Sequence, residues 1–296
     1  MKRKAKKRRR TGLWVGLAIF ALIGCMVGYM TLRANTVVLK RATVYLGELP
    51  PSFEGRTILY LSDIDLGGPN TPDRAAGLVR RLQALKPDML ILGGDYTAHS
   101  LPQILNGVDG LTEDDLAARD RFFHLIADFD APLGRFALAA PEDGDGLYQL
   151  LDACGFAMLN DSRHLIELGD DKLWLVGLNK NSENVQAGGK LFRSGECVVA
   201  VADSPDCFPV LNTVEAMDGG RWVDLCLAGH THGGQVRLLG RSMLKLTSLE
   251  QQFLHGWTRE TGVPLLTTSG VGCEGVPLRL GTEAEVWLIT LTNFDA

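Results

Sequence analysis

Cysteine is sparse in this sequence, and none of it is spaced for metal. The six cysteines of the 296 residues are Cys25, Cys154, Cys197, Cys207, Cys226 and Cys273, and no two form a C-x-x-C pair. That spacing excludes structural zinc sites of the finger or ribbon type. A disulfide is open to an exported domain, but the spacing assigns none. Cys154 and Cys226 sit in apolar patterns and read as core. Internal repeats are also absent, and the only biased stretch is a basic tip at the N-terminus, so repeat architectures are excluded. Positive charge is scarce beyond that tip. The net charge is −5, and removing the eight basic residues of the first ten leaves −13 for the rest. An acidic body of this kind excludes a broad nucleic-acid surface.

What is present begins with the tip itself: Lys2, Arg3, Lys4, Lys6, Lys7, Arg8, Arg9 and Arg10. An uncharged, mostly apolar run follows over residues 12–32 and closes at Arg33. About 20 apolar residues span a bilayer, so this run predicts a transmembrane helix. It is longer than the apolar core of a secretory signal, and Leu32-Arg33-Ala34-Asn35-Thr36 offers no small-x-small cleavage site. The reading is an uncleaved, single-pass anchor in the cell membrane, with a cleaved signal as the alternative. Arg8-Arg9-Arg10 also admits a twin-arginine export signal. The basic flank stays cytoplasmic, which puts the main domain outside the cytoplasm. Two regions result: residues 1–36, tip and anchor, and residues 37–296, the domain. Trp14 falls near the cytoplasmic edge of the anchor, where Trp is favoured.

The domain alternates strand and helix patterns. Residues 37–53 read as an extended lead-in with a Pro50-Pro51 turn. Residues 57–62 are rich in β-formers and end in Asp63-Ile64-Asp65. Asp73 precedes a helical face of Leu78, Val79, Leu82 and Leu85. Residues 89–92 form a second buried strand ending in Gly93-Gly94-Asp95. Strand, helix, strand implies a parallel pair, which sets Asp63, Asp65 and Asp95 at one carboxyl edge. Thr112 with Asp115 marks a helix start, running to about residue 128. Residues 135–139 read as a third strand, followed by Ala140-Pro141-Glu142-Asp143-Gly144, and Leu147, Leu150, Leu151 and Cys154 form a helical stripe. Strands are expected at 163–168, 173–177 and 197–202, the last ending in Asp203, and residues 180–190 read as a loop. The run 225–228 ends in Gly229-His230-Thr231-His232-Gly233-Gly234-Gln235, and 265–269 and 285–291 close the chain as β. In extended chain, residues i and i+2 face one side, so His230 and His232 are expected to face one point, as are Asp63 and Asp65.

Five apolar strands thus end in Asp63/Asp65, Asp95, Glu142/Asp143, Asp203 and His230/His232. Carboxylates and imidazoles at five strand ends, with glycines beside several, point to a polynuclear metal site. In order and spacing, Ser62-Asp63, Gly94-Asp95 and Gly229–Gln235 resemble the calcineurin-like metallophosphoesterases, in particular their membrane-anchored bacterial branch. The resemblance covers residue 37 to the C-terminus, including Ser269-Gly270-Val271-Gly272 and Pro277-Leu278-Arg279. It implies an α/β fold, a double β-sandwich flanked by helices, with divalent metal at the strand ends. It implies that Asp63 and His232 bind a first ion, that Asp95 bridges, and that His230 binds a second.

The departures from the family pattern carry information of their own. Asp65 and Asp203 stand where the family has histidine, Pro141 where it has a ligand asparagine, and Glu142 where it has its catalytic histidine. Oxygen donors in place of nitrogen imply a site of harder ligands. The expected metal residues are Asp63, Asp65, Asp95, Asp203, His230 and His232, with Glu142 as the catalytic group. The cofactor is two divalent ions or one, drawn from Mn, Mg, Fe, Ca and Zn. The expected function is a membrane-anchored, metal-dependent phosphoesterase of reduced or altered activity. Its substrate class is a phosphate-bearing small molecule, phosphate ester or lipid-linked pyrophosphate. The rival reading is a pseudoenzyme that binds metal, phosphate or a partner without turnover. His99, His124, His164 and His255 read as lone histidines without a catalytic role, and Trp174, Trp222, Trp257 and Trp287 as packing.

Overall fold

A computed structural model of the chain describes residues 2–99, 101–106, 110–160, 162–178, 182–242, 253–258 and 262–294. Its first element is helix α1 (Lys2–Ala34). Within it Gly12–Ala34 is long and apolar enough to cross a membrane. Most of that span is exposed, and only its foot meets the domain. Met30 and Ala34 are buried. The Arg279 N–H donates to the Met30 carbonyl at 3.1 Å, and Arg33 and Lys40 both pair with Glu283.

The domain is two sheets face to face. The first is built from β1 (Val37–Tyr45), β2 (Thr57–Leu61), β3 (Met89–Leu92), β4 (Arg135–Ala137), β5 (Ala157–Met158) and, from the far end of the chain, a strand spanning Ala284–Thr292. The second holds β6 (Arg163–Leu168), β7 (Asp171–Leu178), β8 (Val198–Ala202) and β9 (Leu225–Ala228). After β9 come a small hairpin, β10 (Arg237–Leu238) with β11 (Arg241–Ser242), and β12 (Gly256–Thr258) and β13 (Leu265–Thr267), so that the Ala284–Thr292 strand is β14. The sheet orders are β1-β14-β2-β3-β4-β5 and β12-β13-β9-β8-β7-β6. As the strand-helix-strand pattern requires, β2 and β3 are parallel, with Ile58 opposite Met89 and Leu61 opposite Leu92.

Period-two alternation sorts each strand between layers. Ile58, Tyr60, Met89 and Ile91 face Leu175, Val199, Val201 and Leu227 across the sandwich. Leu59, Leu61, Leu90 and Leu92 face outward, onto α2 (Pro72–Leu82), α4 (Glu113–Leu125) and α5 (Leu147–Ala153). A short α3 (Leu101–Asn106) precedes α4. On the far face Val198, Ala200, Cys226 and Ala228 pack against α6 (Ser182–Gly189) and α7 (Phe208–Leu211). Strands buried on both faces need apolar residues at every position, which is why these runs are continuous rather than alternating. The result is the helix-flanked double sandwich of the sequence reading.

Three local expectations change. Helix α2 starts at Pro72 and so includes Asp73, which the pattern places ahead of the helix, and its cap is Thr71, whose side chain accepts from Arg74 N. Helix α4 stops at Leu125, three residues before the expected end, although the Thr112/Asp115 capping box forms as read. Residues 182–189, expected as loop, are helix α6. Its glycines are there for packing: a Cβ on Gly188 would meet the Trp222 ring at 2.5 Å. Close approach to a buried aromatic outweighs the low helix propensity of glycine.

Candidate metal centre

The strand ends of both sheets bring the polar clusters together, by a backbone route the spacing does not predict. Asp63, Asp65, Asp95, His230 and His232 all have positive φ, between 49° and 70°. They stand in left-handed turns, so alternation along an extended chain is not what aims them. Asp and His tolerate this region better than most residues, yet each such position costs about 1–3 kcal/mol. The surrounding loops hold the turns. Asp63 N donates to Gly94 O at 3.0 Å and Asp65 N to Asp95 O at 3.1 Å. The Asp63 carbonyl accepts from Val271 N and Gly272 N at 3.1 and 2.8 Å. A Cβ on Gly229 would lie 2.0 Å from Ser62 Oγ, and one on Gly272 2.3 Å from Asp65 Cβ.

Because each residue sits in its own turn, the two histidines face different partners rather than one point. His230 Nδ1 lies 3.2 Å from Asp95 Oδ2. His232 Nδ1 lies 3.3 Å from Asp65 Oδ2, and its Nε2 lies 3.9 Å from Asp63 Oδ1. Asp95, Asp203 and His230 each offer a ligand atom within 4.8 Å of the others. The His230 N–H donates to Asp63 Oδ1 at 2.6 Å and links the two groups. The β4 end contributes differently. Asp143 is buried and spends both oxygens on the backbone, accepting from Tyr96 N and Ala140 N at 2.7 Å each. It fixes the loop rather than facing the cluster. Pro141 offers no ligand atom, and the Glu142 side chain lies outside the described residues.

The electrostatics are those of crowded, desolvated acids. Burial, then the Asp95 charge, pushes the Asp63 carboxyl well above the ordinary range. Burial and the charges of Asp63 and Asp95 do the same to Asp65. Burial acts on Asp95 too, but its hydrogen bond and charge pairing with His230 outweigh it and hold the group low. Burial and the nearby Arg279 push His232 down to about 3, so it is a neutral imidazole at physiological pH. A neutral imidazole is the form that binds metal.

Arg279 has a role at the site that its place in the Pro277-Leu278-Arg279 segment does not announce. Its side chain is fully buried. Its guanidinium donates to the carbonyls of Ser269 (2.6 Å), Gly270 (3.3 Å), Gly272 (2.7 Å), His232 (3.2 Å) and Glu283 (3.1 Å). One cation thus ties the His232 turn to the glycine loop beneath Asp63 and Asp65. Its two terminal nitrogens are met by these carbonyls while Nε has no hydrogen bond among the described residues, and carbonyls reveal nothing of themselves in sequence.

The donor set suits a hard divalent cation. Asp65 Oδ2 and His232 Nδ1 are buried and, although 3.3 Å apart, form no hydrogen bond with each other or with any other described residue, a state that is costly without a further ligand. Four carboxylates with two imidazoles offer oxygen-rich ligation of the kind Mg, Mn and Ca prefer.

No family model matches the chain. It is similar to an uncharacterized metallophosphoesterase of Aquifex aeolicus, 27% identical over 269 residues, covering 89% of this chain and 95% of the relative. It is 23% identical over 304 residues to the uncharacterized metallophosphoesterase YkuE of Bacillus subtilis, covering 99% of each. It is 26% identical over 219 residues to phosphodiesterase YaeI of Escherichia coli, covering 70% of this chain and 71% of that protein.

Proposed function

From its similarity to metallophosphoesterases over most of its length, we propose that the chain is a calcineurin-like phosphoesterase, a membrane-anchored, metal-dependent hydrolase of phosphate esters acting outside the cytoplasm. The observation that carries this reading is the approach of Asp95, Asp203 and His230 to one another beside Asp63, Asp65 and His232. Asp63, Asp65 and His232 would hold one divalent ion and Asp203 and His230 a second, with Asp95 between them. Such ions, when bound, neutralise phosphate oxygens and acidify a bound water. The protein's own residues supply the rest. Arg279 and the glycine loop hold the ligands in place before substrate arrives, and Asp143 holds the loop that carries Glu142. Glu142 stands where the family has its proton-donating histidine and takes that role as a protonated acid.

The membrane half of the proposal rests on the apolar span Gly12–Ala34 with eight basic residues before it. Pro141, which lacks a ligand atom, favours the second reading, a pseudoenzyme that binds metal or phosphate without turnover.

The deciding experiment is metal analysis of the purified chain, then hydrolysis of bis(p-nitrophenyl) phosphate across pH by wild type, Asp95→Asn and Glu142→Gln. The expected result is bound divalent metal, slow turnover favoured at mildly acidic pH, none in Asp95→Asn, and a loss of about 10²–10⁴-fold in Glu142→Gln. Brisk neutral-pH turnover that survives Glu142→Gln rejects the donor role. Metal bound without turnover establishes the pseudoenzyme.

A further inference from the structure

A cavity of about 470 Å³ lies between the foot of α1 and the candidate metal centre. That volume is within the range of ligand pockets, about 300–1,000 Å³. Asn35, just past the end of α1, and Leu78 of α2 line it on one side, and Asp65 and Gly272 on another. Asp65 is the carboxylate whose Oδ2 lies 3.3 Å from His232 Nδ1, so the cavity reaches the site itself. Two arginines line it as well, with different duties. Arg74 is spent on the scaffold, donating to Asn35 O at 2.7 Å and Pro69 O at 3.2 Å. The Arg81 guanidinium has no hydrogen bond or ion pair among the described residues.

The position of the cavity follows from the anchor. Gly12–Ala34 has 23 residues, about 35 Å of helix against a hydrocarbon core of about 30 Å. The cavity begins at Ala34 and Asn35, where that span ends, which in the proposed topology sets its mouth at headgroup level. The neighbouring surface has the matching composition. Leu239 is 97% exposed at the tip of the β10–β11 hairpin, between Arg237 and Arg241. Arg237 N donates to Leu280 O, and the adjoining Arg279 N donates to Met30 O in α1. An apolar tip between two arginines beside a transmembrane helix suits acyl chains and anionic headgroups.

We infer that this cavity receives the phosphate-bearing headgroup of a membrane lipid, entering from the bilayer interface, with Arg81 paired to the headgroup anion and the ester presented on the Asp65 side of the metal centre. The inference rests on the phosphoesterase reading above and narrows it to a substrate that never leaves the membrane. The reaction is hydrolysis. A bond forms between phosphorus and the water oxygen, and the bond to one alcohol oxygen breaks. One water proton goes to the leaving alkoxide, and the other stays on the phosphate product or passes to solvent.

The test uses the full chain in phosphatidylcholine nanodiscs containing photoreactive phosphatidylglycerol. Crosslinks are expected on α2 and on residues 271–277, and dihexanoylphosphatidylglycerol should compete with them while inorganic phosphate does not. Leu78→Trp fills the cavity and Arg81→Glu inverts its free charge. Each should weaken crosslinking and lower the ratio of phosphatidylglycerol turnover to bis(p-nitrophenyl) phosphate turnover by about tenfold or more. Equal loss on both substrates, crosslinks elsewhere, or inorganic phosphate competing as well as the short-chain lipid overturns the inference. Turnover of the soluble diester without the lipid overturns it while leaving the phosphoesterase reading in place. If wild type hydrolyses neither substrate, that reading fails, and the crosslink map alone accepts or rejects the pocket.

Discussion

Gly270 has a φ of +70°, and a methyl group there would fall 2.5 Å from the Asp63 Cβ. Gly270→Ala therefore meets both backbone strain and a clash with a candidate ligand. The expected outcome is a destabilisation of about 2 kcal/mol or more, read by thermal melting, together with loss of the shift that divalent metal gives to wild type. The carboxylates themselves predict a pH dependence. Asp63, Asp65 and Asp143 have raised pKa values in the folded chain, through burial first and neighbouring charges second. The folded state then keeps protons that the unfolded chain releases, so stability falls as pH rises above the ordinary carboxylate range. Chelator-treated protein should melt lower at about pH 8 than at about pH 5, and Mg²⁺ or Mn²⁺ should restore the neutral-pH value. A chelated protein that is equally stable across this range would show that the acids are not crowded in solution. At this scale the sequence identified which side chains are polar strand ends. It did not reveal how they are aimed, because the left-handed turns at Asp63 and Asp65 are held by hydrogen bonds to Gly94, Asp95, Val271 and Gly272, all distant in the chain.

The elements differ in how openly they are written. The capping box of α4 is local chemistry, with the Thr112 side chain accepting from Asp115 N and the Asp115 carboxylate from Thr112 N at 2.9 Å. Thr112→Ala should cost about 1 kcal/mol in thermal or urea melting. The strands β2, β3, β8 and β9 are equally legible, since burial on both faces demands unbroken apolar runs. Helix α6 is not, because its short glycine-ended sequence becomes a helix only where Gly188 meets Trp222. The Arg279 tie is a tertiary device of the same kind. Arg279→Met keeps most of the volume but leaves the Ser269, Gly272 and Glu283 carbonyls without their donor, while those of Gly270 and His232 keep Glu285 N and Gln235 N. With about 1–3 kcal/mol for each buried acceptor left unsatisfied, it should cost about 3 kcal/mol or more and abolish metal binding measured by isothermal titration. Retained metal affinity in a folded Arg279→Met would mean that the glycine loop holds the ligands unaided.

Across the whole molecule, the anchor and the domain meet through few groups: Met30, Arg33 and Asn35 against Arg279, Glu283 and Arg74. In the proposed topology those residues set the height of the domain above the bilayer. With the basic tip inside, protease added to intact spheroplasts should digest the domain and spare the tip, and protection of the domain would reverse the proposed orientation.

The order β1-β14-β2 has a consequence for synthesis. Residues 284–292 are among the last to be made, yet they fill the gap between the first two strands, pairing Val37 with Ala284 and Tyr60 with Trp287. Until they emerge, β1 lacks its sheet neighbour and β2 is open along one side, with apolar residues at both. The nascent domain must stay unfinished through nearly the whole of translation. A chain halted before residue 284 presents two open strand edges, which are templates for aggregation. In the proposed topology this eases passage through a membrane channel, which admits unfolded chain, and the interval before closure is one in which a holding chaperone has edges to grip.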